Sequence, residues 1–161
     1  KMKKVVELLG EVPGVRVYLF GGGPKETDVL SSWETTYQHC CSVAGSMTFS
    51  EELAVISNLD LMLSMDSGNG HLAAMYGVPV VTVWGVTHPY AGFAPFLQPE
   101  ENSIAADREE FPLIPTSVYG NKVPPGYEDV MQTIPPGRIY NQILQVLVDR
   151  GLNVPDLGTS T

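Results

Sequence analysis

The chain has 161 residues, of which 43% are hydrophobic, and this excludes a disordered chain and suits one domain with a sizeable buried core. Its formal net charge of −9 would repel polyanions, which argues against general binding to nucleic acid. No apolar run approaches the roughly 20 residues that span a bilayer, and the lysine-rich start is not expected to be a signal peptide.

In chain order the apolar pattern alternates between helix and strand. It predicts a helix at Lys3–Leu9, a strand at Arg16–Phe20, a helix at Glu26–Tyr37, a strand at Cys41–Ala44, a helix at Glu52–Asn58, a strand at Leu59–Met65, a helix at Asn69–Tyr76 and strands at Val78–Trp84 and Ser103–Ala106. Thr48 and Glu51 predict a capping box before the third helix.

The last predicted helix begins near Pro136 and ends at Arg150 and Gly151, with Ile139, Ile143, Val146 and Leu147 on one face. The strands are continuous apolar runs, which indicates an α/β fold with a Rossmann-like parallel sheet and helices on both faces. Residues 1–152 are expected to form one domain, and residues 153–161 a flexible tail. The stretch from residue 87 to 136 is rich in proline and aromatic residues and contains one predicted strand, and its residues 90–135 have no predicted role.

The two cysteines, Cys40 and Cys41, are adjacent, which excludes an ordinary disulfide between them. They are expected to be small apolar residues at the start of a strand. A reducing, cytoplasmic environment is the simplest inference from this cysteine usage.

The segment Asp66–Gly70 is a polar turn between an apolar strand and a helix. Ligands of open α/β sheets bind beyond the carboxyl ends of the strands, and a helix N-terminus offers N–H groups and partial positive charge there. Gly68 and Gly70 would allow close approach of a ligand to the backbone, Ser67 can donate a hydroxyl, and His71 in the first helical turn can donate a ring N–H. These features predict a diphosphate site.

Two further interpretations accompany this prediction. Asp66 is interpreted as the N-cap of the helix, since a carboxylate would repel a phosphate ligand. The same residues also fit a plain turn and cap, with His71 packed against its neighbours, so the residues alone leave both possibilities open.

The run Asp66–Ala74 (DSGNGHLAA), followed by Gly77, Pro79–Val81 and Gly85–Pro89, resembles the signature of glycosyltransferase family 9, the family of the ADP-heptose:lipopolysaccharide heptosyltransferases. Gly22–Glu26 resembles the family's Gly-x-Pro-x-Glu segment after a strand, and Ala44–Ala54 resembles its next loop and helix. The likeness covers roughly residues 16–90 and the final helix. It implies the C-terminal, donor-binding half of a GT-B fold.

The resemblance implies a site for the nucleotide-sugar donor. Ser67, Gly68 and His71 would hold the diphosphate, Glu26 the ribose hydroxyls and Met47 the adenine, while Thr87 would lie in a loop beside the sugar. The implied donor-binding set is Glu26, Met47, Asp66, Ser67, Gly68, Asn69, Gly70, His71 and Thr87. Taken alone, Glu26 also fits an ordinary helix-start carboxylate and Met47 an ordinary core residue.

The resemblance also implies what this chain lacks. The catalytic base and the acceptor site belong to the family's first half, so no catalytic residue is expected here. The first strand of the second half and its phosphate-contacting lysine or arginine are likewise expected to be missing. No metal site and no cofactor are expected.

The implied donor is ADP-heptose and the implied acceptor a lipid-linked saccharide of the lipopolysaccharide core, reached through the missing half. The implied location is the cytoplasm, at the inner face of the inner membrane. Two alternatives are the donor-binding half of another GT-B glycosyltransferase or an epimerase that uses a UDP- or GDP-sugar, and a non-catalytic interaction domain with its surface at Tyr90–Tyr127.

Overall fold

The computed structural model describes residues 1–91 and 93–154. The helices are α1 (Met2–Leu9), α2 (Pro24–Thr36), α3 (Phe49–Ile56), α4 (Gly68–Met75) and α5 (Pro136–Asp149). The strands are β1 (Val17–Leu19), β2 (Cys40–Ser42), β3 (Met62–Met65), β4 (Val80–Trp84) and β5 (Ser103–Ala105). Short 3-10 turns lie at Pro89–Ala91, Glu100–Asn102 and Val130–Thr133.

The predicted order of helices and strands is confirmed, and no predicted end differs by more than three residues from the observed one. The largest differences lie at α3, which begins at Phe49, and at β3, which begins at Met62. Of the predicted tail, residues 155–161 lie outside the described part of the chain, so its looseness stays a prediction.

All strand pairs are parallel, as predicted, but they form two sheets. In the first sheet β1 pairs with β2, with Tyr18 opposite Cys41. In the second sheet β4 lies between β3 and β5, with Leu63 opposite Val81 and Val83 opposite Ile104. The division leaves one edge of β1 and one edge of β3 without a strand partner.

The backbone hydrogen bonds identify the groups on these two edges. The Val17 N–H donates to the His39 carbonyl and the Met62 N–H to the Pro79 carbonyl, each toward its paired strand, at 2.8 and 2.9 Å. Because successive N–H groups of a strand point to opposite sides, those of Tyr18 and Leu63 point away from the paired strands. Buried strands rarely leave such groups without partners.

Helices cover both faces of the second sheet, as predicted. Val81 and Val83 of β4 belong to the main core with residues of α1 and α5, and both are fully buried. Val80 of the same strand packs on the other face in a cluster with Ile56 of α3 and Ala73 of α4. Every residue of β4 is buried, which explains its continuous apolar sequence.

The helix ends follow the predicted capping chemistry. Thr48 and Glu51 form the capping box of α3, and the two hydrogen bonds from Thr48 lower the pKa of the Glu51 carboxyl. Pro136 opens α5, and Gly151 follows its C-cap with a φ of 78°, a left-handed conformation that suits glycine. The predicted apolar face of α5 is buried, together with Leu144.

Both cysteines are free thiols, as predicted. Cys40 is buried at the start of β2, and burial raises the pKa of its thiol, with a further contribution from the Glu34 carboxylate. Among residues 1–91 and 93–154, no helix combines the length and the hydropathy that crossing a bilayer demands.

The free strand edges predict an alternating pattern of amide hydrogen exchange. The amides of Tyr18 and Leu63 should exchange faster than those of Leu19 and Ser64, which point toward paired strands, because only the latter are hydrogen-bonded in a sheet. Residue-resolved exchange measured by NMR tests this pattern. Equal protection of all four amides would contradict it and would indicate that β1 and β3 pair directly in solution.

Candidate functional site at the carboxyl ends of the strands

The turn after β3 leaves the first amides of α4 open. Ser67 is the N-cap residue, with an extended backbone, but its side chain makes no capping bond and instead lies 3.0 Å from the Ser64 hydroxyl. The N–H groups of Gly68 and Asn69 have no hydrogen-bond partner among the described residues. Since Ser67 and Gly68 are exposed, these donors are available to a ligand from solvent.

The predicted capping role of Asp66 is wrong. Ser67, with φ −146° and ψ 160°, has the non-helical backbone required immediately before the first helical residue, so Asp66 lies one residue too early. The Asp66 side chain is exposed and accepts no hydrogen bond from the residues that the structure describes. Its carboxylate therefore remains hydrated beside the open helix start.

The two glycines of the turn differ in their surroundings. A Cβ on Gly68 would meet no atom within 4 Å, so its backbone is open to a ligand. A Cβ on Gly70 would lie 2.8 Å from the Oγ and 3.0 Å from the Cβ of Ser64, a buried residue of β3. Gly70 is thus required for the close packing of α4 on β3, and its predicted contact with a ligand stays a prediction.

Asn69 and His71 occupy the first turn of α4, where both side chains are half-buried. Within residues 1–91 and 93–154, neither side chain makes a hydrogen bond to the protein. Their amide and imidazole groups therefore keep their hydrogen-bonding capacity for a ligand at the helix start.

Glu26 and Met47 lie at the carboxyl edge of the first sheet. Glu26 is in the first turn of α2, and its Oε2 accepts a 2.9 Å hydrogen bond from the Gly22 N–H. Met47 lies in the loop after β2 and is 37% exposed, so it is not the core methionine of the alternative interpretation. The two loops are adjacent, because a Cβ on Gly45 would lie 3.7 Å from the Thr27 hydroxyl at the start of α2.

Thr87 follows β4 and is 6% exposed. Of the predicted donor residues, only Thr87 and Gly70 are buried. A segment of the proline-rich stretch covers Thr87: Thr116 donates its N–H to the Val86 carbonyl at 2.9 Å. A Cβ on Gly120 would lie 2.9 Å from the Thr87 methyl group. Sequence reasoning missed this segment, which we call the strap (residues 116–120), because it lacks any helical or strand periodicity.

His88 is buried beside Thr87, and its Nδ1 accepts the N–H of Tyr90 at 3.2 Å. Burial, and then the positive charge of Arg108, lower the pKa of the His88 imidazole. The guanidinium of Arg108 also lies over the Tyr90 ring, 5.7 Å from its centroid. His88 is therefore a neutral, packed histidine at neutral pH.

The structure brings the predicted residues into two groups, one on each sheet. Glu26 and Met47 form the first, and the Asp66–His71 turn with Thr87 forms the second. Among the described residues no hydrogen bond joins the two groups. No cluster of three or more potential metal ligands occurs in the described part of the chain.

Two cavities of about 360 Å³ each lie away from the predicted donor residues. One is between Tyr18 of β1 and α3, lined by Ala54, Val55, Asn58 and Leu59. The other lies near the amino end of β4, between Pro79 and the exposed residues Phe96 and Leu97. Of the predicted donor residues, Asp66, Ser67 and Gly68 are exposed, whereas Thr87 is buried.

The family profile described as glycosyltransferase family 9 (heptosyltransferase) matches residues 1–116. Comparison with curated proteins gave no match. Three solved structures are similar in fold to this chain, and their sequences are 17–19% identical to it. They are the ADP-heptose LPS heptosyltransferase II of E. coli (TM-score 0.68), the heptosyltransferase WaaC of E. coli with ADP (0.62) and a family 9 glycosyl transferase of Veillonella parvula DSM 2008 (0.67).

The first of these structures is 19% identical and the likeness covers 93% of this chain and 41% of that chain. WaaC is 19% identical, and the likeness covers 89% of this chain and 38% of WaaC. The V. parvula protein is 17% identical, and the likeness covers 92% of this chain and 40% of that protein. The chain therefore spans about two fifths of the length of the solved structures it matches, and these likenesses support its fold.

The packing of α4 predicts opposite effects of alanine at the two glycines. Gly70→Ala should lower the free energy of unfolding by about 1–3 kcal/mol, because the added methyl group overlaps Ser64. Gly68→Ala is the matched control, with no atom near the new methyl, and should leave stability unchanged or raise it by up to ~1 kcal/mol. Urea unfolding of both variants measures the difference, and equal stabilities would contradict the close approach.

Proposed function

The chain belongs to glycosyltransferase family 9, and we propose that it binds the nucleotide-diphospho-sugar donor of a glycosyl transfer. The proposed donor is ADP-heptose, and the proposed acceptor is a saccharide of the lipopolysaccharide core. This choice of donor is supported by two similar structures, one of an ADP-heptose LPS heptosyltransferase and one of a heptosyltransferase with ADP. The observation that carries the proposal is the uncapped start of α4 at the carboxyl edge of the sheet.

The electrostatics of this helix start favour a diphosphate. The N–H groups of Gly68 and Asn69 are unpartnered among the described residues, and a helix N-terminus carries about half a positive charge. Ser67 and His71 add a hydroxyl and an imidazole within the same turn. Such donors, fixed before the reaction, would stabilise the charge that develops on a nucleoside diphosphate leaving group.

Glu26 and Met47 would bind the nucleoside. The Oε2 of Glu26 is held by the Gly22 N–H, which fixes the side chain, while its Oε1 makes no hydrogen bond among the described residues and can accept from a ribose hydroxyl. Met47 offers an exposed, polarizable thioether to a flat base such as adenine. Both lie after strands of the first sheet, so the donor would extend across the two sheets.

The catalytic base and the acceptor site are proposed to lie in the rest of the protein. The chain spans about two fifths of the similar structures, and a donor edge that is open here would become one wall of a cleft. The proposed place of action is cytoplasmic, at the inner face of the inner membrane, since the proposed acceptor is lipid-linked.

The donor domain is proposed to comprise residues 1–152 without its first strand, which would be parallel and would lie between β1 and β3. The unpaired edges of these strands and the cavity beside Tyr18 support this arrangement. A strand that leads into α1 and returns through β1 would form a right-handed parallel crossover, the strongly preferred connection. It would also supply partners for the Tyr18 and Leu63 backbone groups.

Removing the side-chain donors of the turn should weaken nucleotide binding. The double variant Ser67→Ala/His71→Ala should lose about 1–3 kcal/mol of ADP affinity in calorimetry, because two hydrogen bonds to the diphosphate are deleted. Ser57→Ala is the control, since its half-buried hydroxyl donates to the Ala54 carbonyl and accepts from the Asn58 side-chain amide at the far end of α3.

Unchanged ADP affinity in a folded double variant would refute the diphosphate site. Parallel titrations with UDP and GDP test the base. Tighter binding of either nucleotide than of ADP would replace the proposed donor by another nucleotide sugar.

The chain alone should transfer no sugar, because the proposed base lies outside it. ADP release from ADP-heptose in the presence of acceptor should stay at the uncatalysed rate, while ADP still binds in the same preparation. Turnover above that rate would place the base within these residues and would overturn this part of the proposal.

A further inference from the structure

The strap is held on the loop after β4 at both of its ends. At one end the Thr116 N–H donates to the Val86 carbonyl at 2.9 Å, and the Thr116 hydroxyl donates to the Lys122 carbonyl at 2.5 Å. At the other end Gly120, with a φ of 64°, lies so close to the Thr87 methyl group that a Cβ there would be 2.9 Å away. The strap is therefore packed on Thr87 and covers part of it.

The strap also lies within reach of a group attached to the proposed diphosphate. β3 and β4 are paired neighbours, with Met65 opposite Val83, and paired strands are about 4.8 Å apart. The Asp66–Gly70 turn follows β3 and the Val86–Thr87 loop follows β4, so their starts are neighbours at the same sheet edge. A sugar is about as wide as one strand spacing and would extend from the turn over the end of β4.

Two buried hydrogen-bonding groups, one in the strap and one at the end of β4, lack partners among the described residues. The Ser117 hydroxyl and the Trp84 indole N–H are buried and make no hydrogen bond among the described residues. Trp84 is the last residue of β4, directly before the loop on which the strap rests. Such unpaired polar atoms are rare, and a sugar hydroxyl is a partner of suitable chemistry for the Ser117 hydroxyl in the strap.

We propose that the strap, residues 116–120, forms the wall of the sugar subsite and that Ser117 determines which sugar the donor site accepts. This inference rests on the proposed donor function. A wall that hydrogen-bonds a hydroxyl of the correct sugar discriminates strongly against donors lacking that hydroxyl, because its buried polar group is then left unpaired. The helix start of α4 would bind the diphosphate of any nucleotide sugar alike, and the strap would discriminate between the attached sugars.

The test compares ADP with ADP-heptose by calorimetry, so that the sugar-dependent gain in affinity is measured apart from nucleotide binding. Ser117→Ala should reduce that gain roughly fivefold or more, while ADP affinity stays within about twofold of the parent. Gly120→Ala should have the same effect, since the new methyl group pushes the strap off Thr87.

Gly126→Ala is the matched control for Gly120→Ala. Gly126 also has a positive φ, of 87°, but a Cβ there would meet no atom within 4 Å. The control should keep the full sugar-dependent gain, which separates displacement of the strap from backbone strain.

Three outcomes would overturn the inference. They are a sugar-dependent gain that survives both strap variants, an equal loss of ADP and ADP-heptose affinity, and an unmodified chain that binds ADP-heptose no tighter than ADP. Failure of the unmodified chain to bind ADP at all would instead refute the donor site, and the strap proposal with it.

Discussion

The close approach of α4 to β3 at Gly70 is the constraint on which the geometry of the site depends. Ser64 of the buried strand leaves no space for a Cβ at Gly70, so the helix lies directly on the sheet. Only Asp66 and Ser67 separate the end of β3 from the start of α4, and the Ser67 hydroxyl lies against Ser64. The Ser67 side chain is therefore directed to Ser64 and not over the first amides of the helix, which remain open.

The elements were predictable from sequence where one local pattern decides them. β4 is a continuous apolar run because both its faces are covered, and the Thr48–Glu51 capping box marks the start of α3. The N-cap of α4 was not predictable, because Asp66 and Ser67 are both good capping residues and only the backbone dihedrals choose between them. The division into two sheets was not predictable either, since periodicity gives strands but not their pairing.

The strap shows why the proline-rich stretch gave no signal in the sequence. Its place is fixed by single contacts between distant positions, such as that of Thr116 with Val86, 30 residues apart. Gly120 is required by the methyl group of Thr87, a neighbour in space that no local pattern records. The family resemblance identified Thr87, but its burial beneath the strap follows only from the fold.

The negative charge of the chain is in apparent conflict with an anionic ligand, but the sizes of the repulsive and attractive energies remove the conflict. The formal net charge of −9 acts weakly over long distances, because salt at physiological ionic strength screens exposed charges that lie farther than about 8 Å from a ligand. Asp66 is close, but its carboxylate is exposed, and one charge at 4 Å in water contributes only about 1 kcal/mol of repulsion. Two open amides, a hydroxyl and the helix dipole, each contributing on the order of 0.5–1 kcal/mol, together outweigh that repulsion. A net charge that repels extended polyanions is therefore no obstacle to the proposed diphosphate site at a single turn.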